Sequence, residues 1–239
     1  MNSIPKIGAV VLSRYNSSRL PGKALMKIAD KPVLGYIIER LMQVLPKERI
    51  VLATSLEQTD DPIEQYAIEQ GITCYRGSLD NVAERFLNAS KDRGWDYTTR
   101  INGDNIFVDT VVFQEMSALA ETGRYTFVSN VKNRTFPKGM SIEIVDVNYY
   151  HSLLKEINRS AEYQEHVTLY LYEKADPTQH YYFMNTALPQ ASGIQLALDT
   201  REDFERSSEI ISRFGKPHWH YNMKEIMDIL KQITHGKSI

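Results

Sequence analysis

Hydrophobic residues in the first hundred positions alternate between short continuous runs and a helical spacing. The continuous runs, which suit buried strands, lie at 7–12, 50–53, 72–75 and 97–101. Between them, apolar residues recur every three or four positions, and this spacing predicts helices over 33–42, 61–70 and 80–91. Strands that alternate with helices are typical of a parallel sheet with helical crossovers. The pattern therefore predicts an α/β fold with a mainly parallel central sheet flanked by helices.

The second half of the chain is less regular. Its pattern predicts a helix over 109–121 and strands over 125–129, 140–145 and 195–198. Two pairs have the spacing of helix-capping boxes, namely Thr200 with Asp203 and Asn222 with Glu225. Residues 147–190 mix helical patterns with the aromatic segment HYYFM, which fits a strand on a partner-facing arm. No internal repeat or linker divides the chain, so we predict a single domain over 1–239.

Composition and charge argue against several classes of protein. Charged residues make up 24% of the chain, and the formal net charge of −2 gives no general attraction to nucleic acids or anionic membranes. A single cysteine, Cys74, excludes an internal disulfide and a multi-cysteine metal site. No apolar run approaches the ~18 residues of a membrane span, and the N-terminal MNSIPK lacks the apolar core of a signal peptide. We therefore expect a cytoplasmic protein without nucleic-acid or membrane partners.

A basic loop follows the first predicted strand. Arg14, Arg19 and Lys23 all lie in this loop, and Gly22 allows the backbone to approach a ligand closely. Ligands of open α/β sheets bind beyond the carboxyl ends of the strands, so the loop is a candidate site for a polyanion such as a nucleoside triphosphate. The alternative is a solvated loop without a ligand. The choice between the two depends on what the other strand ends supply.

Two aspartates are candidate metal ligands. Asp104 lies in the turn NGDN after the fourth predicted strand, and Asp199 directly follows the predicted strand 195–198. Either residue alone fits a role in a turn or a helix cap. Together, at one edge of the sheet, two carboxylates can share Mg²⁺. The pair is therefore the sharper prediction.

The histidines and the missing motifs narrow the chemistry further. His166, beside Glu165, is a candidate polar contact for a substrate, whereas His218 and His220 are interpreted as structural. The chain contains no G-x-S-x-G, H-E-x-x-H, G-x-G-x-x-G or G-x-x-x-x-G-K-[ST] motif. Their absence argues against serine hydrolases, zinc peptidases, dinucleotide enzymes and P-loop kinases.

The segment SRYNSSRLPGKAL resembles the signature R-x-x-S-x-R-L-P-x-K-x-L of the cytidylyltransferases that make CMP-activated 3-deoxy-octulosonic and nonulosonic acids. The branch named for spore coat polysaccharide biosynthesis protein F is the most similar. Its further motifs follow in order as ATS (53–55), DDPI (60–63), RGS (76–78), DNVAER (80–85), VSN (128–130), EHV (165–167) and LDT (198–200). The resemblance covers residues 7 to about 212, nearly the whole chain.

The resemblance implies a Rossmann-like nucleotide-diphospho-sugar transferase fold and a role in cell-surface polysaccharide synthesis. CTP would react with an acidic sugar, such as a 2-keto-3-deoxy sugar acid, to give a CMP-sugar and pyrophosphate. The implied catalytic residues are Arg14, Lys23, Asp104 and Asp199, the last two of which would hold Mg²⁺ or Mn²⁺. The implied nucleotide-binding residues are Leu12, Arg14, Arg19, Lys23, Ala53, Thr54, Ser55, Asp80, Arg100 and Gly103. The implied acceptor-binding residues are Asn130, Glu143, Glu165 and His166.

The family also implies a homodimer, with a dimerisation and acceptor-site arm within residues 135–190. One departure concerns the acceptor side, because Ile106 stands where the family turn usually has proline. Two alternatives remain open at this point. The first is a glycosyltransferase of the same fold that uses a nucleotide-sugar donor, although the chain lacks a D-x-D motif at the expected strand end. The second is a non-catalytic partner in a polysaccharide pathway.

Overall fold

A computed structural model describes residues 4–236 of the chain. The strands are β1 (Ile7–Leu12), β2 (Lys27–Ile28), β3 (Lys31–Pro32), β4 (Ile50–Ser55), β5 (Thr73–Gly77), β6 (Tyr97–Asn102), β7 (Phe127–Ser129), β8 (Glu143–Asp146) and β9 (His180–Tyr182). The helices are α1 (Val33–Leu41), α2 (Asp61–Gln70), α3 (Val82–Ser90), α4 (Thr110–Glu121), α5 (Val147–Ile157), α6 (Ala161–Glu165), α7 (Leu169–Glu173), α8 (Arg201–Ser212) and α9 (Met223–Gly236). Residues 1–3 and 237–239, the ends of the predicted domain, lie outside the described residues.

A seven-stranded sheet forms the centre of the fold, in the order β5-β4-β1-β6-β8-β7-β9. The strands β5, β4, β1 and β6 run parallel, which confirms the predicted α/β fold. β8 runs antiparallel to its neighbours β6 and β7, and β9 is parallel to β7. Leu12 pairs with Asn102 at the carboxyl ends of β1 and β6. The basic loop and the NGDN turn therefore leave the sheet side by side.

Both faces of the sheet are covered, because its central strands are apolar on both sides. All six residues of β1 are buried. One apolar cluster packs side chains of α1, α4 and α9 against one face, and a second packs α3 and α5 against the other. Within residues 4–236, none of the helices has the length and apolar character needed to span a membrane.

Most predicted helices and strands are confirmed, and the differences lie at their ends. α2 occupies the predicted positions and ends at Gly71, which adopts a left-handed φ of 61°. α3 begins at Val82 instead of residue 80, because the side chain of Asn81 accepts a hydrogen bond from the Glu84 backbone and so caps the helix. Both predicted capping boxes are formed, at the starts of α8 and α9.

The predicted strand over 195–198 is wrong. This segment forms only an isolated bridge, between Gln195 and Lys138, and bends at Ala197. Its remaining backbone contacts go to loops, since Leu198 N donates to Asp104 O at 3.1 Å. Gly139 permits the approach, because a Cβ added there would lie 2.3 Å from the backbone nitrogen of Ala197. Alternating polar and apolar residues therefore mark a segment packed on the sheet edge, not a strand within it.

The irregular region 147–190 contains α5, α6, α7 and the edge strand β9. The aromatic segment is a strand as predicted, but its rings contact the same chain. His180 packs edge-on against Phe127 at 5.3 Å between ring centroids, and Tyr182 stacks on Tyr172 at 6.2 Å. A partner-facing arm in this region stays a prediction.

Candidate active site

A buried carboxylate anchors the start of the basic loop. Tyr15 N donates to Asp60 Oδ1 at 2.6 Å, and both the backbone N and the Oγ of Ser55 donate to Asp60 Oδ2, at 3.0 and 2.5 Å. Burial alone would raise the pKa of Asp60, but these hydrogen bonds outweigh it and hold the pKa below its ordinary value. Asp60 therefore ties the carboxyl end of β4 to the loop that follows β1. Sequence reasoning placed Asp60 only in a polar loop and a family motif.

The loop then folds back on Tyr15. The Tyr15 carbonyl accepts hydrogen bonds from Ser17 N at 3.0 Å and from Gly22 N at 2.8 Å. Gly22 has a φ of +72°, and a Cβ there would lie 3.2 Å from the Tyr15 hydroxyl. Glycine suits this position because a side chain would be strained and crowded. The turn delivers Lys23 to the sheet edge.

Asp104 and Asp199 are brought together as the sequence predicted. The backbone hydrogen bond from Leu198 to Asp104 sets the two residues on adjacent segments. Lys23 Nζ contacts both carboxylates, at 3.2 Å from Asp104 Oδ2 and 3.1 Å from Asp199 Oδ1. Arg19 reaches Asp199 Oδ1 at 3.1 Å. We call Asp104 and Asp199 the carboxylate pair.

The carboxylate pair fits a hard divalent cation that shares its coordination with water and phosphate. Mg²⁺ prefers oxygen ligands and typically takes only one or two protein carboxylates together with substrate phosphates. No group of three or more His, Cys, Asp or Glu residues with metal-binding geometry occurs among residues 4–236. The donors therefore match Mg²⁺ or Mn²⁺ and do not match a structural zinc site.

Three cavities line this edge of the sheet. The large cavity, of about 600 Å³, extends from Arg14 and Arg100 to α6. The carboxylate cavity, of about 230 Å³, contains the carboxylate pair and Lys23. The side cavity, of about 310 Å³, lies beside Glu143. Asn102, which was absent from the predicted site, lines all three cavities, so they form one continuous region.

Most of the predicted nucleotide-binding residues line these cavities, and one group does not. The wall of the large cavity includes Leu12, Arg14, Asp80 and Arg100. The wall of the carboxylate cavity includes Leu12, Arg14, Arg19, Lys23 and Gly103. Ala53, Thr54 and Ser55 are fully buried in β4 and line none of the three cavities. They support the loop through Asp60 and through a hydrogen bond from Ser13 N to Ala53 O.

Arg85 is a cationic residue of the site that sequence reasoning missed. Its side chain lines the large cavity although the residue is only 4% exposed. Nη1 donates to Ser78 O at 2.5 Å, while Nε has no partner. Burial lowers the pKa of Arg85; the charge of Asp60 opposes this shift, and the charge of Arg14 adds to it. The sequence feature that could have revealed Arg85 is its position three residues after Val82, on the apolar side of α3.

A buried ion pair forms the wall between the large and side cavities. Arg100 pairs with Glu143, which is 1% exposed. Glu143 Oε1 also accepts hydrogen bonds from Thr168 Oγ1 at 2.8 Å and from the Tyr172 hydroxyl at 2.6 Å. Burial and the charge of Glu143 raise the pKa of Tyr172 well above its ordinary value, so the phenol remains a donor. The predicted acceptor residue Glu143 thus lines the side cavity with its oxygens already engaged.

The other predicted acceptor residues differ in position. His166 lines both the large and the side cavity, and Glu165 lines the large one. Asn130 is buried away from all three cavities. Its side chain donates to Met140 O at 2.9 Å and accepts from Ile142 N at 2.8 Å, so it holds two chain segments together.

Arg134 is an additional cation beside the side cavity. The residue is exposed, lines the cavity, and forms no ion pair with the described residues. Its backbone φ is +50°, following a φ of +58° at Asn133, and both values are unusual outside glycine. The strained turn is held because Arg134 O accepts from Ser192 Oγ at 2.9 Å and Gly193 N at 3.1 Å.

Ile106, the departure from the family turn, lies in the hydrophobic core and not in a cavity. It is fully buried and belongs to the apolar cluster on the α4 side of the sheet. The residue that replaces the family's proline therefore packs in the core and lines none of the three cavities.

Comparisons with known proteins agree with this geometry. A family model described as Cytidylyltransferase matches residues 9–233. Spore coat polysaccharide biosynthesis protein SpsF of Bacillus subtilis is 30% identical over 87% of this chain and 87% of its own length. The solved structure of a cytidylyltransferase from Leptospira borgpetersenii is 30% identical and superimposes with a TM-score of 0.88, covering 97% of this chain and 96% of that one.

A more distant structure shares the fold. It is CMP:2-keto-3-deoxy-manno-octonic acid synthetase complexed with CTP, 16% identical with a TM-score of 0.66 over 87% of this chain and 99% of that one. The family model covers nearly the whole chain, and the two relatives at 30% identity match it over most of their length. The chain therefore belongs to the cytidylyltransferase family and is a nucleotidyltransferase.

Proposed function

We propose that the protein couples CTP to an acidic sugar, such as a 2-keto-3-deoxy sugar acid, and releases pyrophosphate. The observation that carries the proposal is the carboxylate pair, bridged by Lys23, in a cavity that shares Asn102 with the large cavity and the side cavity. A single region thus offers cations for phosphates, oxygens for a divalent cation, and space for two substrates. The product would be a CMP-sugar for cell-surface polysaccharide synthesis, in line with the relative in Bacillus subtilis.

The cations of the basic loop and of β6 suit the nucleotide. Arg14 lines both the large and the carboxylate cavity and has no ion-pair partner among the described residues. Arg85 adds a buried guanidinium to the large cavity, which the exposed Arg14 also lines, and the charge of Asp60 offsets part of the positive charge of Arg85. Such an arrangement stabilises an anion, because a bound phosphate relieves the repulsion between like charges. We assign the triphosphate to these two cavities.

In the reaction, the oxygen of a sugar hydroxyl forms a bond to the α-phosphorus of CTP and gives up its proton to water, and the bond from that phosphorus to the pyrophosphate oxygen breaks. Lys23 and Arg14 neutralise the charge that develops on the phosphate oxygens. The carboxylate pair would hold Mg²⁺ or Mn²⁺, and the ion would supply Lewis-acid stabilisation of the same oxygens. His166 lies between the large and the side cavity, where it contacts the acceptor.

The side cavity supports an acidic acceptor. Arg134 places an unpaired guanidinium on its rim, and Arg100 adds a second cation whose charge is already matched by Glu143. Guanidinium groups bind carboxylates through paired hydrogen bonds, so Arg134 suits the carboxylate of a sugar acid. Lys138, another cation of the segment 131–139, lines none of the three cavities.

The remaining parts of the proposal concern assembly and location. We expect a homodimer in which residues 135–190 contribute the dimer contacts and part of the acceptor site within one nucleotidyltransferase domain over 1–239. We place the reaction in the cytoplasm, where the single unpaired Cys74 stays reduced and CTP is made.

Pyrophosphate release from CTP and Mg²⁺, measured across a panel of 2-keto-3-deoxy sugar acids and their neutral counterparts, tests the proposal. At least one acid should give turnover, and Arg134→Gln should raise the KM of that acid with little change in the KM of CTP. Lys138→Gln is the matched control and should leave both constants unchanged. Absence of CTP binding together with absence of turnover would refute the proposal, and turnover of a nucleotide-sugar donor instead would favour the glycosyltransferase.

A further inference from the structure

The Lys23 ammonium occupies the space between the two carboxylates. Its three N–H donors have three acceptors: Asp104 Oδ2 at 3.2 Å, Asp199 Oδ1 at 3.1 Å and Leu198 O at 2.8 Å. The side chain is only 13% exposed, and those of the two aspartates are about one-fifth exposed. Lys23 is therefore fully satisfied, and two of its three acceptors are the carboxylate oxygens that suit a divalent cation.

The carboxylate pair needs a cation at all times. Two carboxylates this close to one ammonium repel each other when that charge is removed. Arg19 also reaches Asp199, but its side chain is 63% exposed, and an exposed ion pair contributes little. Lys23 consequently neutralises most of the negative charge of the carboxylate pair.

A cation held on these oxygens competes with any other cation for them. The repulsion between Lys23 and a divalent ion at the same pair opposes binding of the ion, because both sit in a partly buried, weakly screened site. CTP changes this balance, since its phosphates offer the ammonium new acceptors in the carboxylate cavity, which Lys23 and Arg14 already line.

We infer that Lys23 stands in for the metal in the nucleotide-free protein and makes metal binding depend on nucleotide. When CTP binds, Lys23 leaves the carboxylate pair for the phosphates, and Asp104 and Asp199 are then free to hold the divalent cation. The identity of the nucleotide rests on the proposed function. The competition between Lys23 and a metal ion at the pair rests only on the geometry.

Mn²⁺ binding followed by electron paramagnetic resonance tests the inference without turnover. The wild-type protein should bind Mn²⁺ weakly alone and more tightly with a CTP analogue that carries a methylene between its α- and β-phosphates. Lys23→Met should bind Mn²⁺ about tenfold more tightly than wild type in the absence of nucleotide, since a positive charge in contact with both carboxylates is gone. Lys23→Arg keeps the charge and should stay weak.

Two controls fix the interpretation. Lys27→Met removes an exposed lysine four residues away and should bind Mn²⁺ like the wild type. Adding Asp104→Asn to Lys23→Met should abolish the gain. Equal affinity of Lys23→Met and wild type, or wild-type binding that is equally tight with and without the analogue, would overturn the inference. A protein that fails to bind the analogue contradicts the proposed function, while the nucleotide-free comparison still decides the role of Lys23.

Discussion

Asp60→Asn tests whether the buried carboxylate positions the basic loop. Asp60 is 1% exposed and accepts hydrogen bonds from Tyr15 N and from both the backbone and the hydroxyl of Ser55. Asparagine has the same shape, but its amide nitrogen must face one of these donors, and the charge is lost. A hydrogen bond to a charged group contributes about 1.5–3 kcal/mol, and a donor left buried without a partner adds a penalty. We expect the free energy of unfolding to fall by about 2–3 kcal/mol.

Urea denaturation followed by circular dichroism measures this loss as a lower midpoint at unchanged slope. The KM of CTP should also rise severalfold, because Arg14 directly precedes the Tyr15 anchor and Arg19 and Lys23 follow it. Asp61→Asn is the matched control, since that carboxylate is 58% exposed and pairs with Arg76 at the surface. Equal midpoints for the two variants would refute the anchoring role. A stability loss without any change in CTP binding would show that the loop is positioned by other contacts.

Three further changes probe the site and its support. Gly139→Ala should lower both the urea midpoint and the Mn²⁺ affinity in the presence of the CTP analogue. The alanine Cβ would meet the backbone of Ala197 and displace Asp199. A wild-type urea midpoint together with a wild-type Mn²⁺ affinity would contradict this prediction. Glu143→Gln should destabilise the protein by about 1–3 kcal/mol in urea, since it leaves half-buried Arg100 without its charged partner, whereas an unchanged urea midpoint would contradict the ion pair's role. Burial lowers the pKa of His218 to about 4, so the unfolded chain binds more protons than the folded protein below about pH 6.5. The melting temperature should therefore fall as the pH is lowered from 6.5 toward 4. The decrease should be smaller in His218→Gln. If the melting temperature of His218→Gln fell with pH as much as that of the wild type, His218 would not be the group responsible.

The sheet and the helices were predictable because their signals are local. β1 and β4 are continuous apolar runs, and α2 has an N-terminal Pro62 and a C-terminal Gly71. The carboxylate pair was also predictable, because Asp104 lies in the turn after an apolar run and Asp199 directly follows another. The sequence did not reveal that Asp199 follows a segment outside the sheet, since that arrangement depends on one long-range approach at Gly139.

The supporting residues of the site were not predictable from local patterns. Arg85 lies on the apolar side of a helix, and its role depends on which cavity that side meets. Asn130 is a polar residue that was predicted to bind the acceptor, but its side-chain amide forms hydrogen bonds with two backbone groups. Asn102 gains its central position from the pairing of β6 with β1. Each depends on tertiary contacts between distant parts of the chain.

The backbone contact between Leu198 and Asp104 also determines when the site can exist. Lys23 and Leu198 are 175 residues apart in the chain, and the second carboxylate comes one residue later. A nascent chain that ends at β8 already contains the residues of β1, β4, β5, β6 and the basic loop. It still lacks Asp199 and the acceptor of one Lys23 hydrogen bond. The carboxylate pair is therefore complete only after Asp199 has been synthesised.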